Sequence, residues 1–187
     1  MRHRFIDLLE QSPVIPAVKA EAALPCALAC ESRVLFLLGG DLLTIRRWIS
    51  MVHEAGKLAV VHIDLVGGLA PKEVAVDWLQ QQGADGIIST RPHLIRRGRE
   101  LGMLTVLRVF AIDSKAVSNL GKETGMGMPD LIEVLPGTIY KVIARLSREL
   151  PVPLIAGGLL ADKADVTAAL SAGALCVSAS DPQLWDL

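Results

Sequence analysis

Aromatic residues make up only 4% of the 187 positions, which leaves few rings on which nucleic-acid bases could stack. Cysteine is scarce as well. Cys26, Cys30 and Cys176 are an odd number with no CxxC pair, so a disulfide framework is not indicated and a reducing cytoplasm suits the chain. No His/Cys spacing suggests a metal, and no GxGxxG or Walker sequence suggests a nucleotide cofactor. A long apolar run is missing too. The longest uncharged stretch, Val166 to Ser180, is broken by Ser171, Gly173 and Ser178 and falls short of the ~18 residues of a membrane span. Arg2, His3 and Arg4 are followed by Asp7 and Glu10, which is not the pattern of a secretory signal. Charge of one sign is absent overall: the formal net charge is −1, so any RNA contact would need a local patch. A homo-oligomer is compatible with this composition.

What the chain does have is apolar bulk. It is 51% hydrophobic and 21% charged, with a mean hydropathy of +0.44, as strands buried on both faces produce in α/β folds. Strand-like runs recur at Val14 to Val18, Val34 to Leu38, Leu58 to Ile63 and Gly86 to Ile88. Thr105 to Phe110, Leu131 to Leu135, Leu154 to Ala156 and Leu175 to Val177 complete eight. Helix-length segments lie between them, such as Leu42, Ile45, Ile49 and Val52 before Gly56, or Val166, Ala169 and Leu170 before Gly173. Asp41 and Asp162 are candidate N-caps, and Gly56, Gly83, Gly102 and Gly173 candidate helix stops. Alternating buried strands and amphipathic helices predict one α/β domain, a compact single-domain (β/α)₈ TIM-type barrel, with an open doubly wound sheet as the alternative. Gly83 to Thr90 echoes Gly173 to Ser180 ninety positions on, as a four-plus-four duplication would.

In such a barrel the strand C-termini form one face, and the residues there can be read off. Strands seven and eight run into Gly157-Gly158 and Ser178-Ala179-Ser180, small residues that admit a phosphate to the backbone. Asp181 to Trp185 reads as a short extra helix with Ser180 at its N-cap. Lys19, His62, Asp64, Arg91, Arg108 and Glu133 fall on the same face, along with Ser89, Thr90 and Asp113. Ionisable groups inside apolar strands are costly unless paired or liganded, so this clustering is the functional signal. Each residue also has a plainer reading. His62 and Asp64, two apart on one strand, would share a face and could be a satisfied pair. Arg108 and Glu133 could be an ion pair that joins two strands. Asp113-Ser114 could cap a helix, Arg91 could lie on the surface, and Gly125-Met126-Gly127-Met128, in the loop before strand six, could be a mobile lid or a partner surface. His62 or Glu133 as an acid–base group keeps a sugar- or triose-phosphate isomerase or epimerase in view.

The strings themselves carry a resemblance. Val61-His62-Ile63-Asp64-Leu65-Val66-Gly67-Gly68-Leu69, Gly86-Ile87-Ile88-Ser89-Thr90-Arg91 and Arg108-Val109-Phe110 occur in order. Asp113-Ser114, Ile132-Glu133-Val134-Leu135-Pro136-Gly137, Ala156-Gly157-Gly158-Leu159 and Leu184-Trp185 follow. From about Pro13 to Trp185 the chain resembles the glycerol-3-phosphate-responsive antiterminator family, the glycerol uptake operon antiterminator regulatory proteins. That resemblance implies a (β/α)₈-like fold and a regulator rather than an enzyme, with no catalytic residue, metal or cofactor. The effector would be glycerol 3-phosphate and the partner leader mRNA of glycerol-utilisation genes, on which premature termination is prevented. Carried onto this sequence and laid out on the barrel, Gly157, Gly158, Ser178, Ala179 and Ser180 would hold the phosphate. Lys19, His62, Asp64, Arg108 and Glu133 would line the glycerol end. For RNA the basic candidates are Arg91, Arg96, Arg97 and Arg99, joined by Arg2, His3 and Arg4, although a solvated helix face explains them as well.

Overall fold

Eight parallel strands close on themselves in sequence order, the last pairing with the first. The computed structural model describes residues 2–113 and 128–187. The strands are β1 Val14–Val18, β2 Val34–Leu37, β3 Leu58–His62, β4 Gly86–Ser89, β5 Leu104–Phe110, β6 Leu131–Leu135, β7 Leu154–Gly157 and β8 Cys176–Ala179. The helices are α1 Arg2–Gln11, α2 Leu24–Ala29, α3 Ile45–Glu54, α4 Glu73–Gln81, α5 Pro92–Glu100, α6 Tyr140–Glu149 and α7 Lys163–Ser171. The predicted closed barrel is therefore the observed fold, and the open sheet is not. Among the described residues no helix is long and apolar enough to cross a membrane.

Strand alternation divides the core in two. Residues such as Leu35, Val61, Ile87 and Val177 point outward and pack against the helices, whereas Phe36, Val60, Ile88 and Ile155 fill the barrel interior. Phe5 and Leu9 of α1 join the interior cluster, so this helix, which precedes β1, plugs the N-terminal end. The parallel registers, climbed around the tilted barrel, stack the inward residues in levels of four. Ile15, Val60, Val106 and Ile155 form an apolar level. Above it lie Phe36, Ile88, Glu133 and Ser178, and above that Ala17, His62, Arg108 and Gly157. The core thus turns polar toward the strand C-termini.

Local signals mostly behave as the sequence predicts. Gly56, Gly83, Gly102 and Gly173 end their helices at φ of 71, 96, 71 and 99°, a region that costs glycine little. Asp162 caps α7 by accepting from the Asp165 N–H at 2.9 Å. Asp41 caps the turn that leads into α3, its carboxylate taking the N–H groups of Leu43 and Thr44 at 2.9 Å each. Leu42 belongs to that turn and not to the helix, whose buried stripe is Ile45, Trp48, Ile49 and Val52. The half-chain echo extends further than eight residues: α4 and α7 stand ninety positions apart at both ends, as do the buried Leu94 and Leu184. Ser114 and Gly125-Met126-Gly127 lie outside the described residues, as do the side chains of Arg2, His3 and Arg4.

Candidate functional site

A cavity of about 300 Å³ opens at the C-terminal mouth of the barrel. It exists because Ala17 and Gly157 are the smallest members of their level, leaving space above Glu133 and Ser178. Lys19, Arg108, Glu133, Gly158, Ser178, Ala179 and Ser180 line it, so seven of the ten predicted ligand residues meet at one place. His62, Asp64 and Gly157 do not line it.

The floor is a three-residue chain of hydrogen bonds. Arg108 Nε donates to Glu133 Oε2 at 2.6 Å, and Ser178 Oγ donates to Glu133 Oε1 at 2.5 Å. Glu133 is fully buried and Arg108 is 9% exposed, so both oxygens of this carboxylate are held away from water. A buried carboxylate needs this much compensation. The ion pair offered as the plainer reading is thus present, and Arg108 also faces the cavity. Gly157 makes the chain possible: a Cβ there would sit 2.7 Å from both Glu133 Oε1 and Ser178 Oγ. It admits the polar chain, and it does not itself line the cavity.

The expected strand placement of Asp64 is corrected. The sequence puts it on the same strand face as His62, but β3 ends at His62 and Ile63–Leu65 coil into a 3₁₀ turn. The turn carries the Asp64 carboxylate away from the cavity and into the loop after β4. There it accepts from Thr90 N at 2.8 Å, from Ser89 Oγ at 3.0 Å and from Thr90 Oγ1 at 3.2 Å, with Arg91 Nε at 3.4 Å. The carboxylate fills a nest of amide and hydroxyl donors and ties two loops together. His62 stays inside the barrel and is 3% exposed. Its Nδ1 lies 3.9 Å from Asp64 Oδ2, too far for a hydrogen bond, and has no hydrogen-bond partner among the described residues. Burial, reinforced by the Arg108 charge and opposed by Asp64, depresses the ring to a pKa of about 4, so it is neutral at ordinary pH.

Ser180 is not the N-cap of the terminal turn. That turn is a 3₁₀ segment, Pro182–Leu184, and Asp181 caps it by accepting from Gln183 N at 3.0 Å. Ser180 is left facing the cavity. Of the basic candidates, Arg91 meets Asp64, Arg96 lies 3.4 Å from Glu73, and Arg97 pairs with Asp77 at 2.5 Å and Glu100 at 3.0 Å. Arg99 is exposed and has no ion pair among the described residues. The apolar rim of Phe110, Leu135, Leu159 and Leu160 was not anticipated, because leucines at strand ends read as core. One signal was available: Leu159 directly follows two glycines, and it adopts φ of 58° while 76% exposed, an unusual state for a bulky residue.

Residues 14–185 match the family described as Glycerol-3-phosphate responsive antiterminator. The YgcP protein of Escherichia coli (strain K12) is 37% identical over 184 residues, covering 98% of this chain and 96% of that protein. The crystal structure of the glycerol uptake operon antiterminator regulatory protein from Listeria monocytogenes str. 4b F2365 superimposes with a TM-score of 0.88 at 31% identity, over 92% of this chain and 94% of that one. A glycerol uptake operon antiterminator-related protein from Thermotoga maritima MSB8 gives a TM-score of 0.84 at 31% identity, over 93% and 98%. With the match running from the first strand to the closing tryptophan, the chain belongs to the glycerol-3-phosphate responsive antiterminator family.

Proposed function

We propose that this protein is a transcription antiterminator that senses glycerol 3-phosphate in the barrel mouth and acts on leader mRNA of glycerol-utilisation genes. The observation that carries the ligand half is the cavity's charge. Lys19 and Arg108 face it, and the one carboxylate in its lining among the described residues, Glu133, has both oxygens already bonded. Such a site attracts an anion and, among the described residues, offers no free carboxylate base to move a proton. This favours a sensor over an isomerase or epimerase.

The half-chain repeat supports a phosphate near Ser180. Ser180 corresponds to Thr90, whose N–H and hydroxyl receive the Asp64 carboxylate in the other half. In the β8 loop the corresponding donors border the cavity, where a phosphate oxygen would take the carboxylate's part. Ala179 offers no hydroxyl to match Ser89, so Lys19, Arg108 and Ser178 complete the polar set. The RNA half rests on family membership.

A ³¹P spectrum of glycerol 3-phosphate held for hours with stoichiometric protein tests the reading. We expect a shifted or broadened resonance with no new peak. A new peak would replace the sensor with an enzyme using His62 or Glu133, and an unchanged spectrum would remove glycerol 3-phosphate as the ligand. Leader-RNA affinity that responds to the ligand then tests the regulatory half, since coupling between two sites must appear in both affinities.

A further inference from the structure

We propose that Ser178 accepts a hydrogen bond from a hydroxyl group of the bound polyol phosphate. The ligand then lies with its polyol end on the cavity floor and its phosphate toward Lys19 and Ser180. The inference rests on the ligand reading above and gives the ligand a direction.

A serine hydroxyl has one proton and two lone pairs, whereas a carboxylate can only accept. Glu133 is the carboxylate partner of Arg108, so the 2.5 Å contact from Ser178 Oγ to Glu133 Oε1 takes the serine's single proton. What Ser178 still offers is lone pairs, and it lines the cavity. A polar ligand group that settles on it must therefore bring the proton. The other polar side chains of the lining behave differently. Lys19 and Arg108 can only donate, Ser180 can do either, and both oxygens of Glu133 are taken.

This selects a hydroxyl over a phosphate oxygen. A fully ionised phosphate has no proton to give, and on Ser178 it would meet lone pairs beside the Glu133 carboxylate. A polyol hydroxyl donates to Ser178 and extends the chain that already runs from Ser178 to Glu133, each bond polarising the next. Depth agrees with that direction. Ser178 is 4% exposed and shares the interior level of Glu133, one below Arg108 and Gly157. Ala17 and Gly157, the small members of the upper level, leave the way down to it open. Lys19 and Ser180 are exposed and follow the ends of β1 and β8, so the cation and hydroxyl suited to a phosphate stand at the rim. Within the polar set of the site, Ser178 serves the polyol end.

Calorimetric titration at about pH 8, where a phosphate monoester is fully ionised, tests the assignment. The probes are glycerol 3-phosphate, its two analogues with fluorine in place of one hydroxyl, and n-propyl phosphate, which lacks both hydroxyls. Fluorine fills the place of a hydroxyl and cannot donate. Wild type should favour glycerol 3-phosphate over n-propyl phosphate at least about tenfold, and at least one fluorinated analogue should lose about as much. Both analogues binding within about threefold of the parent overturns the proposal, since no ligand hydroxyl would then be donating. In Ser178→Cys, whose thiol keeps the shape and accepts weakly, the preference for glycerol 3-phosphate over n-propyl phosphate should fall below about threefold. An undiminished preference there places the hydroxyl elsewhere and overturns the assignment; should Ser178→Cys fail to fold, Ser178→Ala decides by the same criterion. Wild type binding glycerol 3-phosphate and n-propyl phosphate equally removes the hydroxyl contact alone, whereas wild type binding neither removes the ligand reading itself.

Discussion

Arg108 and Glu133 are register partners on neighbouring strands, and their side chains meet at 2.6 Å inside the barrel. The pairing puts a charge couple where other levels of the interior hold branched aliphatics. It persists because Ser178 satisfies the second carboxylate oxygen and Gly157 leaves room for all three. Cavity, charge and stability are therefore tied to one strand register.

Glu133→Gln removes the charge that compensates Arg108 while keeping the shape. Breaking a buried pair from one side typically costs about 3–5 kcal/mol, because the remaining charge stays buried. We expect a loss of about 3 kcal/mol by urea unfolding, with Arg108→Met/Glu133→Gln less destabilised than the sum of its parts. A loss below about 1 kcal/mol for Glu133→Gln would mean that solvent reaches the guanidinium freely.

Gly157→Ala is a sharper test, since one methyl lands 2.7 Å from two polar atoms at once. Neither can retreat without leaving the other. The variant should lose about 1–3 kcal/mol of stability, as overpacked interiors do. It should also weaken phosphate binding at least about tenfold by displacing Arg108. Wild-type thermal stability and ligand affinity in this variant would contradict the role given to Gly157.

Much of this was legible in the chain. Eight short apolar runs separated by amphipathic segments give a barrel because buried parallel strands need no alternation and the helices between them do. The polar face was legible because Lys19, Arg108, Glu133, Ser178 and Ser180 all lie within two residues of the C-terminal end of a strand. Asp64 was misread for the opposite reason: once the strand stops at His62, two-residue spacing no longer fixes the direction of the side chain. Arg96 and Arg97 looked like a basic patch because their partners Glu73 and Asp77 lie on the preceding helix, twenty or more positions away. Only packing brings those charges together.

His62 gives the fold an acid-sensitive component. Its pKa is about 4 in the folded chain against 6.5 for the free side chain. Between those values the unfolded chain binds a proton that the folded chain does not, so stability rises with pH across that window. The contribution is complete above about pH 6.5 and shrinks as pH falls toward 4, by roughly 3 kcal/mol in all. Urea midpoints measured from pH 7 to 4.5 should fall more steeply for wild type than for His62→Leu. Parallel profiles would show that Arg108 and burial do not depress the ring as described.

The α5 arginines differ in how far protein carboxylates neutralise them. Arg97 is held between Asp77 and Glu100 and Arg96 lies against Glu73, so both are already neutralised by protein carboxylates. Arg99 is not. Each phosphate contact made with single-stranded RNA contributes a slope of about 0.7 in log affinity against log salt. Replacing Arg96 and Arg97 together by Ala should therefore leave the slope for leader RNA unchanged, and Arg99→Ala should lower it by about 0.7 if α5 borders the RNA. A drop of about 1.4 in the double variant would mean that both ion pairs open when RNA binds, since a guanidinium shared with a carboxylate releases no counterion. The helix would then be a latent basic surface, with α4 acting as its competitor for phosphate.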